Sequence, residues 1–389
     1  MNPIPVSEPL LNGNEKKYLN ECIDSGWISS EGPFVDRLEK QFAASVGRRF
    51  GITVSSGTAA LDLAVSCLDL GVGDEVILPT FTIISCAAAI VRSGATPVVV
   101  DCCPDTWNMD TTQVESKITP RTKAIMVVHI YGLPVDMDPI LILANKYGLM
   151  IIEDAAEVHG QTYKNRPCGS FGELSLFSFY ANKSVTTGEG GIILTDDEAL
   201  ADRCRSLRNL CMQSERRFIH HELGWNYRMS NLQAALGVAQ LERIDEFVER
   251  KRQIGQYYTA LLKDVSCLQL PVAETHYAQN VYWVYSIVLK DEVYIDAEKL
   301  MHLLREQGIG TRPFFWPMHL QPVFLNMGLF DSTFCPVAEK ISQKGLYLPS
   351  GGTLTDPQIN QVVNVIKQLL STSPKHDQKN LKIHLQQSA

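Results

Sequence analysis

Four short segments carry side chains whose types and spacing could do chemistry. Lys183 lies in Phe177-Ser178-Phe179-Tyr180-Ala181-Asn182-Lys183-Ser184-Val185-Thr186-Thr187-Gly188-Glu189-Gly190-Gly191, where a mostly apolar run delivers one amine just before a Gly-rich turn. An amine held in a partly dry site loses affinity for its proton and becomes nucleophilic toward carbonyls. Taken alone, Lys183 could equally be an ordinary surface lysine. In Val54-Ser55-Ser56-Gly57-Thr58-Ala59-Ala60-Leu61 an apolar stretch enters a Ser/Gly/Thr turn ahead of a helix that runs through Leu70. Free N–H groups at such a helix start attract anions; Gly57 lets a phosphate approach the backbone, and Ser56 and Thr58 add hydroxyls. A capped helix with no ligand is the alternative.

In Ile151-Ile152-Glu153-Asp154-Ala155-Ala156-Glu157-Val158-His159-Gly160, Asp154 sits where a buried strand ends. Strand ends line the ligand crevice of α/β sheets, and a carboxylate there can pair with a protonated ring nitrogen; a helix cap or surface turn would account for it equally. His159 reads as a packed neighbour rather than a base. Gly224-Trp225-Asn226-Tyr227-Arg228-Met229-Ser230-Asn231 mixes aromatic, amide and guanidinium groups, and either caps a helix or reaches a ligand.

Alternating strands and helices must position these segments. Glu75–Leu78, Thr96–Asp101, Ala124–Val128 and Leu149–Ile152 read as strands, with helices over Thr82–Arg92 and Asp138–Tyr147. Nearly continuous apolar strands between helices predict a parallel sheet covered on both faces. Leu232–Arg252 reads as one long amphipathic helix. Beyond it the texture changes to a strand at Tyr282–Leu289, a helix at Asp296–Gln307, a turn at Gly308-Ile309-Gly310 and a closing helix at Asp356–Leu370. The expected division is a large unit over residues 1–250, a smaller one over 251–370, and a solvated tail over 371–389.

A chain of 389 residues suits two domains, and 45% hydrophobic with 20% charged residues is ordinary for a globular protein. The net charge of −8 argues against nucleic acid or anionic membranes as partners, so a phosphate-bearing ligand needs a local site. The start of the chain lacks an apolar signal region, and no apolar stretch reaches the length of a membrane span. The ten cysteines are mostly scattered singly, without CxxC or zinc spacing, so reduced thiols, a cytoplasmic location and no metal are expected.

In order and spacing the four segments resemble the DegT/DnrJ/EryC1/StrS family of sugar aminotransferases dependent on pyridoxal 5'-phosphate (PLP), from about residue 5 to residue 370. Lys183 within NKSVTTGEGG, together with EDAAE and SSGTAAL, is the strongest signature. The resemblance implies the type I, aspartate-aminotransferase-like α/β fold: a large domain on a mostly parallel central sheet plus a smaller C-terminal α+β domain. It implies PLP held by Lys183 as a Schiff base, the freed lysine then moving the proton. Asp154 would pair with the pyridinium nitrogen, which keeps the ring an electron sink. Glu157 falls where the family has Gln, His or Glu near the 3-hydroxyl. Gly57, Thr58 and Ser178 would hold the phosphate, beside Ser56. Asn226 resembles a family asparagine that reaches the phosphate across a subunit interface, which implies a homodimer with composite sites. Ile83 departs from the pattern, because the family usually has an aromatic residue there to stack on the ring.

The substrates implied are L-glutamate and a nucleotide-linked keto sugar. NGNEKKYLNECIDSGWISSEGPFVDRLE, VVHIYG, GVAQLERID and RPFFWPMHLQPVF resemble members acting on GDP-4-keto-6-deoxy-D-mannose. UDP- or dTDP-linked keto sugars are the alternative. The same likeness places Trp27, Ser29, Arg312, Trp316 and His319 near the nucleotide sugar. Read alone, Arg312 and His319 could instead serve a structural hydrogen-bond network, and Trp27 simple packing. Lysine at 183, where the family's dehydratases carry histidine, argues against dehydration. A non-catalytic regulatory or scaffold protein is the alternative of a different class, and intact Lys183 and Asp154 argue against it.

Overall fold

Seven strands form the main sheet of the computed structural model, which describes residues 3–212, 216 and 218–371. In chain order they are β1 (Phe50–Val54), β2 (Glu75–Pro79), β3 (Thr96–Val100), β4 (Thr122–Val128) and β5 (Met150–Asp154); then, past a two-strand ribbon of β6 (Thr162–Tyr163) and β7 (Arg166–Pro167), β8 (Leu174–Ser178) and β9 (Gly191–Thr195). Their spatial order is β1-β9-β8-β5-β4-β2-β3, and only the pairs made by β9 are antiparallel. The continuous apolar runs follow from burial on both faces. Side chains alternate across a strand, so Val76 and Leu78 enter one core while Ile77 enters the other; Ala124, Met126 and Val128 likewise oppose Ile125 and Val127.

The helices that cover the sheet are α1 (Glu15–Ser25), α2 (Pro33–Val46), α3 (Gly57–Cys67), α4 (Ile84–Arg92), α5 (Met137–Tyr147), α6 (Glu198–Arg208) and α7 (Asn231–Leu241). The cores place α3, α4 and α6 on one face and α2, α5 and α7 on the other. The remaining elements are α8 (Ile244–Leu262), β10 (Leu268–Gln269), β11 (Tyr285–Leu289), α9 (Ala297–Glu306), β12 (Arg312–Pro313), α10 (Pro322–Asn326), α11 (Pro336–Lys344), β13 (Gly345–Leu348) and α12 (Asp356–Ser371). An antiparallel sheet, β10-β11-β13-β12, shares a third core with α8, α9 and α12. Ile4, near the start of the chain, also packs in this core and bridges to Ile309.

One expectation fails. The helix foreseen over Leu232–Arg252 is two helices, α7 and α8, separated at Glu242-Arg243. Both residues of the break are held by the N-terminal segment. Glu242 accepts hydrogen bonds from Asn14 (2.7 Å), the Tyr18 hydroxyl (2.6 Å) and Arg37 (2.9 Å), and Arg243 bonds Asn12. Propensity and periodicity do not contain these long-range bonds. The strand foreseen from Tyr282 begins only at Tyr285. Tyr282 itself has a left-handed φ of 50°. The tail beyond Ser371 lies outside the described residues.

Candidate active site

The turns that follow β1, β5 and β8 meet in one cavity of about 360 Å³. Its wall includes Ser56, Gly57, Thr58, Asp154, Glu157, Ser178 and Lys183, which are the residues the sequence grouped around a cofactor.

The first turn joins β1 to α3. Ser56 is extended (φ −167°, ψ 165°) and caps the helix, its hydroxyl accepting from the Ala59 N–H at 3.1 Å. Its carbonyl accepts from Ala60 N, so the Gly57 and Thr58 N–H groups lack an acceptor among the described residues. A Cβ on Gly57 would lie 2.8 Å from Ser178 Cβ, so glycine is what lets the helix start against β8. The hydroxyls of Thr58 and Ser85 are 2.9 Å apart.

The second turn follows β5. Asp154, the last residue of that strand, is 2% exposed. One carboxylate oxygen accepts from Ala156 N at 3.0 Å and the other from the Cys86 thiol at 3.4 Å. Burial raises its pKa above the usual carboxylate range, opposed by those two bonds and by the charge of Lys183. Glu157 accepts from Tyr131 N at 2.9 Å, and its other oxygen is 3.5 Å from Lys183 Nζ. Burial pushes Glu157 up to about 7 against the pull of Lys183. His159 is buried among Phe42, Phe177 and Phe179, and burial, with the Lys183 charge second, pushes it down to about 3. It is therefore a neutral packed ring at ordinary pH.

The third turn follows β8. Lys183 N bonds Tyr180 O at 2.9 Å, and Thr187 N bonds Phe179 O at 3.0 Å. Gly188 adopts the left-handed φ (80°) that the return into β9 requires. The Lys183 side chain is one-tenth exposed, with Nζ 3.7 Å from the centroid of the Trp283 ring. Burial lowers its pKa, and Glu157 and then Asp154 oppose the fall. The amine is nearly dry and faces two carboxylates and an aromatic ring.

The chemistry of these donors fits PLP. Free helix-start N–H groups and three hydroxyls suit a phosphate dianion, a buried carboxylate suits a protonated pyridine nitrogen, and a buried amine suits the aldehyde. A three-residue cluster elsewhere, His129, Glu153 and Cys168, does not have the free donors a metal needs. His129 Nδ1 accepts from Val135 N at 3.0 Å, its Nε2 faces Glu153 at 3.0 Å, and Glu153 also accepts from Phe171 N at 2.8 Å.

Six residues expected near cofactor or sugar do not line the cavity of this chain. Asn226 is exposed and accepts from Arg228 at 3.0 Å. Trp27 and Ser29 are exposed, and their carbonyls take the Asn231 side-chain amide and backbone N–H, both at 2.7 Å. Arg312 is exposed on β12, opposite the cavity-lining Tyr347. Trp316 is 44% exposed, one residue beyond the cavity-lining Phe315. His319 is buried, 2.7 Å from the Thr80 hydroxyl and 3.0 Å from Glu339. Sequence reasoning missed the aromatic wall of Tyr180, Trp283, Phe315 and Tyr347, and also Ser85. Tyr180 lies within the lysine segment and Ser85 within the helix expected over Thr82–Arg92, whereas Trp283 lies just before β11 and Tyr347 in β13, with no local signal. Ile83 does line the cavity.

Comparison with known proteins agrees with this geometry. Residues 9–367 match the model of the DegT/DnrJ/EryC1/StrS aminotransferase family. The chain is 43% identical over 371 residues to a GDP-perosamine synthase of Caulobacter vibrioides, covering 94% of this chain and 98% of that one. It is 41% identical over 371 residues to a GDP-perosamine synthase of Escherichia coli O157:H7, covering 95% of this chain and all of the relative. Among solved structures it is similar to the PLP form of the Streptococcus pneumoniae protein Spr1654, named for sugar aminotransferase activity. That match has TM-score 0.88 and 27% identity, covering 95% of this chain and 99% of that one.

Proposed function

The chain belongs to the DegT/DnrJ/EryC1/StrS aminotransferase family, and from that premise we propose that it moves an amino group from L-glutamate to GDP-4-keto-6-deoxy-D-mannose, giving GDP-perosamine. It is a PLP-dependent nucleotide-sugar transaminase. The observation that carries the substrate reading is the 41–43% identity to two GDP-perosamine synthases over nearly the whole of each chain.

Bound PLP supplies the electron sink that makes a carbon next to nitrogen acidic enough to lose a proton. The protein supplies the rest. In our reading the Lys183 amine carries the cofactor between turnovers, then takes a proton from the donor carbon and later returns one to the sugar carbon. Burial favours this, because it lowers the pKa of Lys183 and so makes its proton easier to give up. Asp154 keeps a proton on the ring nitrogen, and its two hydrogen bonds fix the carboxylate for that task. Glu157 sits 3.5 Å from the amine and can hold a proton near pH 7, which suits a group beside the cofactor's 3-hydroxyl. Gly57 and Thr58 N–H groups and the Ser56, Thr58 and Ser178 hydroxyls hold the phosphate.

We further propose two units, 1–250 and 251–370: the third core favours a smaller C-terminal unit, while α8 runs across the boundary and Ile4 joins that core. We also keep the homodimer. Exposed Asn226, with Trp27 and Ser29, would complete the partner's site. Arg312, opposite Tyr347, and Trp316, next to Phe315, would meet the nucleotide sugar from outside the cavity lining. His319, tied to Thr80 and Glu339, would act on the sugar only indirectly. Among the described residues no helix is long and apolar enough to cross a membrane.

The test is an amino-transfer assay with glutamate and GDP-, UDP- and dTDP-linked 4-keto-6-deoxy sugars. Turnover is expected with the GDP sugar. Good turnover of another sugar beside none of the GDP sugar would refute the substrate.

A further inference from the structure

We propose that Lys251 is a positioning residue for the catalytic amine: it holds Trp283, and Trp283 holds Lys183. The proposal rests on Lys183 being the cofactor-bearing lysine. Lys251 lies on α8 and is 6% exposed. Its ammonium donates to the Trp283 carbonyl at 2.8 Å and the Ser350 carbonyl at 2.6 Å. Among the described residues no carboxylate lies within ion-pairing distance. An ammonium buried on two carbonyls is a costly way to fill space, since a methionine would fill it without a charge. The two bonds are therefore what the lysine contributes.

Those bonds fix the carbonyl of Trp283 itself, within a buried segment that is also held by bonds from Val281 N to Gly132 O at 3.1 Å and from Tyr282 N to Asn280 Oδ1 at 2.7 Å. Tyr282, next to Trp283, has a left-handed backbone. The chain there is pressed against Gly132, where a Cβ would lie 2.6 Å from Trp283 N. From this pinned point Trp283 reaches two consecutive residues of the lysine turn. Its indole N–H donates to the Asn182 carbonyl at 2.9 Å, and its ring face lies 3.7 Å from Lys183 Nζ. Lys251 is thereby linked to the amine through one side chain that grips both the turn's backbone and its charge. A ring face favours a cation over a neutral group, so moving the indole changes how readily a nitrogen at that point keeps its proton.

The groups that face Lys183 from the other elements are Asp154, Glu157, Cys86 and His159. Glu8, Glu246, Glu249 and Arg250 line the cavity beside Lys251. All stay in place in the variants below.

The experiment titrates the visible absorbance of the PLP-loaded enzyme with pH and reads its midpoint. A nitrogen that has lost the ring face keeps its proton less well. Trp283→Leu is expected to lower the midpoint by about half a unit or more. Lys251→Met should lower it in the same direction, and the double variant should match Trp283→Leu alone. If Lys251→Met does not fold, Lys251→Gln, which keeps a donor without the charge, should shift the midpoint less than Trp283→Leu. An unchanged midpoint in the lysine variant, or effects that simply add, overturns the proposal, even if the melting temperature falls. A wild-type enzyme with no visible band sensitive to Lys183→Ala would refute the assignment of Lys183 instead.

Discussion

Lys183 and Lys251 are both enclosed, and their surroundings differ. Lys183 sits in a cavity with Glu157 at 3.5 Å, Asp154 nearby and an indole face against its ammonium. Lys251 sits behind the same turn with two backbone carbonyls. Burial lowers the pKa of both. At Lys183 two carboxylates oppose the fall; at Lys251 burial acts without a counter-charge and takes the group down to about 7. The same desolvation thus gives one amine whose proton can be exchanged with adjacent acids and another locked to the backbone. A buried lysine becomes a reagent through what it can trade protons with and what it can reach.

The largest effect that would break this contrast is at Lys183 itself. Lys183→Ala should lower turnover by about 10⁴-fold or more, since both the covalent anchor and the proton carrier are lost. The visible cofactor band should vanish with it. Next comes its acid partner: Asp154→Asn keeps the shape but removes the charge that retains a proton on the ring nitrogen. Its kcat should fall on the order of 10²- to 10³-fold, and a wild-type kcat would detach Asp154 from the chemistry. The phosphate end should respond less. Ser178→Ala removes one hydrogen bond to a charged group, so PLP affinity should weaken by about tenfold or somewhat more, read by equilibrium titration of the cofactor-free protein.

The same contrast marks what the sequence could disclose. Lys183, Asp154 and Gly57 each belong to a short local pattern that joins a strand to a turn, and the sheet brings those strand ends together by topology. The sheet was legible for the same reason: strands buried on both faces leave unbroken apolar runs. Trp283 lies just before β11 and Tyr347 in β13, and both meet the cavity only through long-range packing. Nothing within a few residues of Trp283 announces that it will face an amine about one hundred positions earlier. Lys251 read as one charge in a polar helical stretch, because its partners come from the segments before β11 and after β13. The break between α7 and α8 failed for a related reason, since long-range bonds to Asn12, Asn14, Tyr18 and Arg37 decide it.

The smallest effects concern stability, and there the two sites should have opposite signs. In the cofactor-free protein Glu157 titrates near 7 when folded and near 4.5 when unfolded. Between those values the folded state holds the extra proton, so Glu157 makes stability fall as pH rises, and the loss persists above pH 7. Lys251 titrates near 7 when folded and near 10.5 when unfolded. In that interval the unfolded state holds the extra proton, so Lys251 makes stability rise with pH, by at most about 1.4 kcal/mol per unit. In denaturant melts from pH 5 to pH 9, buried His159, near 3 when folded and 6.5 when unfolded, makes stability rise over the lower part of the range. Glu157→Gln should therefore make the slope below pH 7 more positive, and Lys251→Met should flatten the rise above it. Above pH 7 the Lys251→Met slope should drop while Glu157→Gln leaves it nearly unchanged. If Lys251→Met keeps the full wild-type slope there, Lys251 is charged and solvated in the folded chain, and the contrast between the two lysines fails.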